Sequence, residues 1–239
     1  MRPYRFSASP LLTQPLPDGT IYKSGLSALE LRLRFMALHT ESLEVLEEIY
    51  QERNLLRYSA KQKIHLYEDD VWIVYRGVVQ IQTLHYSGDE SILGMLGPMM
   101  PFSRAFTDLD SYDVQALTEV DLLRLSWRDI QKSPALAMEM NQLLTRRLQQ
   151  TEILLTLLNK NQIEERLLRF LAFLAREFGK ESPQGIRIDI RLTHQQIATI
   201  VGTTRVTVTK ILGAFKKSSL LGKGNSRYLC VNRDVLTLS

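Results

Sequence analysis

The sequence is short of the residues that several protein classes require. Its 239 residues include a single cysteine, Cys230, which excludes an intramolecular disulfide framework and any zinc or iron-sulfur site made of cysteines. A reducing cytoplasm is the expected compartment. The four histidines, His39, His65, His85 and His194, lie far apart with no metal-ligand spacing, so no metal or other resident cofactor is expected. Long apolar runs are lacking too. Charge interrupts each one well short of the roughly 18 residues needed to cross a bilayer, and Met1 to Thr20 has no continuous apolar stretch of a secretory signal. Neither membrane insertion nor export is expected. With no nucleophile-base pair, P-loop or carboxylate cluster visible, an enzyme is not expected either.

What is present suits a globular chain of one large or two modest domains, 44% hydrophobic with a net charge of +4. The charge is uneven. From Thr193 onward seven Lys or Arg stand against one acid, Asp234, while the first 192 residues are near neutral. A basic C-terminal block on a near-neutral body points to a polyanion, and nucleic acid is the favoured one.

Four prolines, Pro3, Pro10, Pro15 and Pro17, mark residues 1–24 as an extension without packed elements. Helical spacing follows over Ala28 to Arg57, in Leu31, Phe35 and Leu38 and then Leu43, Leu46, Ile49 and Tyr50, with Thr40 as a cap between two helices. From Lys61 to Leu125 the texture is β-rich, in runs such as Val71–Tyr75, Val78–Gln82 and Asp121–Leu125, punctuated at Gly77, Gly88 and Gly94 to Pro98. These intervals predict an antiparallel roll or barrel. Ser133 and Pro134 read as N-cap and first residue of a long helix, in which Leu144, Leu148, Thr151, Leu155 and Leu158 recur at alternating steps of four and three. That is a coiled-coil seam, which favours a homodimer. A second helix over about 161–178 ends at Gly179, and Ile186–Ile190 alternates as a strand. The predicted division is therefore 1–24 extension, 25–132 roll, 133–160 dimer helix and 161–239 C-terminal domain, an α+β fold.

Inside the basic block, Ala198 is small where two helices would touch, Gly202 can take the positive φ of a tight turn, and Val208, Ile211, Leu212 and Phe215 supply an inward face. Thr193 can cap the first helix. Arg205, Val206, Thr209 and Lys210 then share the outward face of the second. Val206 is informative there, because a helix in the major groove uses arginine for a guanine edge and an aliphatic group for a thymine methyl. His194, Gln195, Thr203, Thr204 and Thr207 are polar groups near helix N-termini, placed for phosphate oxygens. Residues 220–231 read as two strands around a Gly-Lys-Gly-Asn turn, a wing with Lys223, Asn225 and Arg227 as backbone contacts.

Roll, long helix and winged helix-turn-helix in this order resemble the Crp/Fnr family of bacterial transcription regulators over residues 28–239. Within the family the chain is similar to the cyanobacterial global nitrogen regulators, on Leu148-Gln-Gln-Thr-Glu152, Gly185-Ile-Arg-Ile-Asp-Ile190, Leu192-Thr-His-Gln-Gln-Ile197 and above all Thr204-Arg-Val-Thr-Val-Thr-Lys-Ile-Leu-Gly213. The resemblance implies a roll like those of cyclic-nucleotide-binding proteins and a dimer on double-stranded DNA. It also implies half-sites of the GTA and TAC kind, eight bases apart, and RNA polymerase as a partner. Where family members pair a cyclic phosphate with an Arg-Ser step, this chain has Asp110 and Ser111, and a carboxylate there repels an anion, so cyclic AMP is not the expected effector. Nitrogen regulators hold 2-oxoglutarate with an arginine at that same place plus an Arg and a Glu on the long helix. Arg147 and Glu152 match the last two, which leaves an altered effector site around Phe102, Arg104, Arg147 and Glu152, with 2-oxoglutarate as a candidate. The other reading of Arg147 and Glu152 is an ion pair to the roll or to a second subunit, since residues five apart point about 140° away from each other. The competing functional class is a ligand-binding or protein-interaction scaffold whose helix-turn-helix touches no DNA.

Overall fold

Two four-stranded antiparallel sheets, a long helix and a small α/β region make up the computed structural model, which describes residues 55–222 and 228–238. The strands of the roll are β1 (Leu56–Tyr58), β2 (Lys63–Ile64), β3 (Asp70–Arg76), β4 (Val79–Leu84), β5 (Glu90–Leu96), β6 (Pro101–Phe102), β7 (Asp113–Ala116) and β8 (Val120–Ser126). They pair in the orders β1-β8-β3-β6 and β2-β7-β4-β5. The helical pattern expected through Arg57 gives way to β1. Its earlier part lies outside the described residues.

Side chains alternate across a strand, and both faces of β3 and β8 are covered. Trp72, Val74, Val120 and Leu122 turn inward onto Ile81, Phe102 and Val114. Val71, Ile73, Leu123 and Leu125 turn outward onto helix residues Ile130, Leu136, Met140 and Leu143. That is why Val71–Val74 is a continuous apolar run where a half-exposed strand would alternate. Gly77 makes the β3–β4 turn at φ 88°, and a Cβ there would clash with the Glu119 carbonyl oxygen.

Serine hydroxyls start the next two helices. Ser126 accepts from Asp129 N ahead of α1 (Trp127–Lys132), and Ser133 accepts from Leu136 N ahead of α2 (Pro134–Leu158), with Pro134 in the first turn. A polar stretch, 159–162, separates α2 from α3 (Ile163–Phe178), whose buried face runs through Leu167, Phe170, Leu171 and Leu174. Gly179 ends α3 in an extended conformation, φ −81°, so left-handed backbone is not what it supplies. It supplies room, since a Cβ there would clash with the Ala175 carbonyl oxygen. Strand β9 (Gly179–Ser182) follows directly and pairs with β10 (Gly185–Ile188), which pairs in turn with β11 (Cys230–Val231). The predicted strand thus stops at Ile188. No apolar alternation marks β9 in the sequence, since Gly-Lys-Glu-Ser is a polar edge strand.

Helices α4 (His194–Val201) and α5 (Arg205–Lys217) complete the C-terminal region with a 3-10 turn over Arg233–Leu238. All described residues belong to one compact unit, and one core cluster joins Val78 and Met95 of the roll to Phe170 of α3 and Ile200 of α4. No described helix is long and apolar enough to cross a membrane.

Candidate nucleic-acid interface

The local sequence builds the helix-turn-helix from capped ends and a shared apolar interior. Thr193 Oγ1 accepts from Gln196 N at 3.1 Å while Gln196 Oε1 accepts from Thr193 N at 2.9 Å, a reciprocal cap on α4. α4 ends at Gly202, φ 66° and ψ 54°, where a Cβ would meet nothing within 4 Å. Backbone conformation therefore demands this glycine. From α3, Arg166 donates to the Gly202 carbonyl and holds the turn from behind. Thr204 caps α5 by accepting from Thr207 N at 3.2 Å. Ala198, Val208, Ile211, Leu212 and Phe215 are buried together, which fixes the crossing of the two helices.

The face opposite that interior carries Arg205, Val206, Thr209 and Lys210, all exposed, Val206 at 77%. Among the described residues, no neighbour covers this isopropyl group beside a guanidinium. Of the polar residues expected to meet phosphate, Gln195 is exposed and Thr203 half-buried. The Thr204 and Thr207 hydroxyls lie 2.9 Å apart, engaged with each other at the helix start. Thr209 donates its hydroxyl to the Arg205 carbonyl at 2.9 Å and meets His194 Nδ1 at 2.8 Å, tying α4 to α5. Lys223, Asn225 and Arg227 lie outside the described residues. On either side of them Leu221 bridges Val231, and Gly222 N donates to Cys230 O at 2.8 Å.

Charge counted from Thr193 onward misses a basic group just ahead of it. Arg191 and Arg187 lie over the Tyr228 ring, 5.0 and 5.4 Å from its centroid. Asp189 takes ion pairs from Lys180 and Arg187, which hold its carboxyl below the usual carboxylate range. Exposed Arg191 thus adds to the basic surface beside Tyr228. Charge counted from a few residues further upstream would have found it.

Around the roll, Arg147 meets the carbonyl that adjoins Phe102, whereas Glu152 faces elsewhere. Phe102 is wholly buried and stacks on Trp72, so it serves the core. Arg104 donates to the Leu109 carbonyl, and Asp110 accepts from the Tyr86 hydroxyl. Arg147 donates to the Pro101 carbonyl and to the Tyr112 hydroxyl, both at 2.9 Å. Glu152 is exposed on another side of α2. Beside them is a buried polar contact that the sequence did not announce. Gln150 donates to Glu177, whose carboxyl burial pushes upward, and Arg146 of α2 reaches the Pro98 carbonyl. Along the seam, Leu148 and Leu155 are 59% and 61% exposed and Thr151 is exposed. Leu144 instead packs on the roll's outer cluster, and Leu158 is half-buried near Ile92.

A β-roll, a long helix with exposed leucines and a helix-turn-helix that presents Arg-Val outward together define a DNA-binding regulator. The description of a Crp-like helix-turn-helix domain matches residues 165–238. The global nitrogen regulator of Synechococcus elongatus is 35% identical over 176 residues, covering 70% of this chain and 79% of that protein. Among solved structures, a transcriptional regulator of the CRP/FNR family from Thermus thermophilus superposes with a TM-score of 0.63 at 22% identity, over 77% of this chain and 96% of that one. A cyclic nucleotide-binding domain containing protein from Listeria monocytogenes gives 0.70 at 15% identity, over 81% and 99%. The two structures speak for the fold alone. The chain belongs to the Crp/Fnr family of transcription regulators. It is a regulator and not an enzyme.

Proposed function

We infer that the chain acts in the cytoplasm as a homodimer that reads a palindromic operator in double-stranded DNA, with half-sites of the GTA and TAC kind eight bases apart. The division into a sensor roll (25–132), a dimer helix (133–160) and a DNA-binding domain (161–239) serves that task. The observation that carries the reading is the exposed Arg205-Val206 pair on a helix whose other face is buried. Arg205 reads guanine O6 and N7 and Val206 packs on a thymine methyl. Lys210, Gln195, Thr203 and the wing residues Lys223, Asn225 and Arg227 hold backbone phosphates, while Thr193, Thr204, Thr207 and Thr209 set the two helices in place.

Leu148, Thr151 and Leu155 make the contact between subunits. The roll answers to an effector other than cyclic AMP or to none, because Asp110 stands where an anion would be paired and Arg147 already meets Pro101 and Tyr112. 2-Oxoglutarate is the small molecule to test first. Control of nitrogen-related genes through RNA polymerase follows from the likeness to the Synechococcus regulator.

The test is binding of the full chain to a duplex carrying the palindrome against a scrambled duplex, for wild type and Arg205→Ala. The variant is expected to keep its circular dichroism and its dimer, and to lose about 1–3 kcal/mol of discrimination at the guanine. Undiminished discrimination would overturn the assignment, and equal affinity of the wild type for both duplexes would favour a scaffold role.

A further inference from the structure

The contact between His194 and Thr209 fixes more than the angle between two helices. Thr209 Oγ1 lies 2.9 Å from the Arg205 carbonyl oxygen and 2.8 Å from His194 Nδ1. A carbonyl oxygen only accepts, so the single hydroxyl proton goes to it, and Nδ1 must be the donor in the second bond. The ring nitrogen left over is Nε2, which has no hydrogen-bond partner among the described residues. The ring is pinned to Thr209, a member of the outward face of α5, and therefore borders the surface that carries Arg205 and Val206.

With Nδ1 committed as a donor, Nε2 has two forms. In the neutral ring it is a lone pair, which a phosphate oxygen repels. In the charged ring it is an N–H that donates a charge-assisted hydrogen bond to phosphate. We propose that His194 is a proton-operated phosphate contact, so that each helix-turn-helix takes up one proton on His194 Nε2 as it closes on a DNA backbone. The proposal rests on the DNA-binding reading above. The proton comes from solvent and returns to it on release.

The elements packed on α4 carry few charges toward this ring. α5 contributes Arg205 and Lys210, Arg191 precedes α4, and β5 carries Glu90 at its hairpin end. From α3, Arg166 is bonded to the Gly202 carbonyl at the other end of α4. No carboxylate lies within ion-pair distance of His194 among the described residues. The phosphate is thus the anion that the charged ring meets.

The experiment measures anisotropy of a labelled duplex carrying the GTA-N8-TAC palindrome, and of a random duplex, with the full chain from about pH 5.5 to about pH 8.5 at fixed ionic strength. Wild-type affinity should fall as pH rises, approaching about tenfold per pH unit for each proton taken up. The slope should be the same on the random duplex, because phosphates carry no sequence. His194→Gln should bind weakly without that slope. His194→Arg, charged throughout, should bind at the alkaline end as the wild type does at the acid end. Calorimetry in two buffers of different ionisation enthalpy should count about one more proton per helix-turn-helix for wild type than for His194→Gln. Equal slopes and equal proton counts in the two would overturn the proposal. Failure of the wild type to bind either duplex at any pH would instead overturn DNA binding itself, and this contact with it.

Discussion

Gly202 and Gly179 both close a helix, and the backbone asks something different of each. Gly202 is left-handed with open space beside it, so Gly202→Ala should cost about 1–2 kcal/mol of conformational strain and no more. Gly179 has ordinary backbone angles but no room for a methyl group against Ala175 and Ile186. Gly179→Ala should be the more damaging of the two in urea denaturation, and a milder effect there would contradict this account of the helix end. Asp121 supplies a second residue-scale test. Its carboxylate accepts from Arg57 and Arg76, both at 2.8 Å, and Arg57 foremost holds it below the usual carboxylate range. Since the folded value lies below the unfolded one, the stabilisation is complete above about pH 4 and fades as pH falls through the folded value. Asp121→Asn should therefore melt below wild type at neutral pH, with the gap narrowing in acid. A gap that stays constant would show that charge is not what Asp121 contributes.

Among the elements, α2 is shared between the chain's own core and a surface left open. Leu136, Met140, Leu143, Leu154 and Leu157 are buried, whereas Met138, Leu148, Ile153 and Leu155 are exposed. Glutamate at Leu148 and Leu155 together should lower the mass seen in sedimentation from dimer to monomer with the helix content kept. A double variant that stays dimeric would move the subunit contact elsewhere. The helix-turn-helix was legible in the sequence because its determinants are local. Thr193, Gly202, Thr204 and the inward run from Val208 to Phe215 each act within a few residues. The seam was legible only in part, since Leu144 and Leu158 fit the heptad yet pack against the roll, and a repeat cannot say which of its members a neighbouring sheet will cover. For the effector residues the sequence offers only positions in a motif. Phe102 looked like a ligand contact by its place in a motif, and only the tertiary fold stacks it on Trp72. Edge strand β9 and the Arg146, Gln150 and Glu177 contact depend likewise on segments that meet far apart in the chain.

At the scale of the whole molecule, roll and helix-turn-helix are not independent. Gln196, which caps α4, donates to buried Gln80 of β4, and Val78 and Met95 share a core with Phe170 and Ile200. Unfolding in urea should consequently give one transition, the same whether followed by the fluorescence of Trp72 and Trp127 in the roll region or by circular dichroism of the helices. Separated transitions would deny the shared core a stabilising role. Through the same packing, any shift of β4 or β5 bears on α4 directly. The most direct test of the central assignment is selection of duplexes from a random DNA pool by the full chain. Symmetric enrichment of GTA and TAC half-sites, about one helical turn apart from centre to centre, is the predicted result. A pool that shows no enrichment, or enrichment without symmetry, would contradict it.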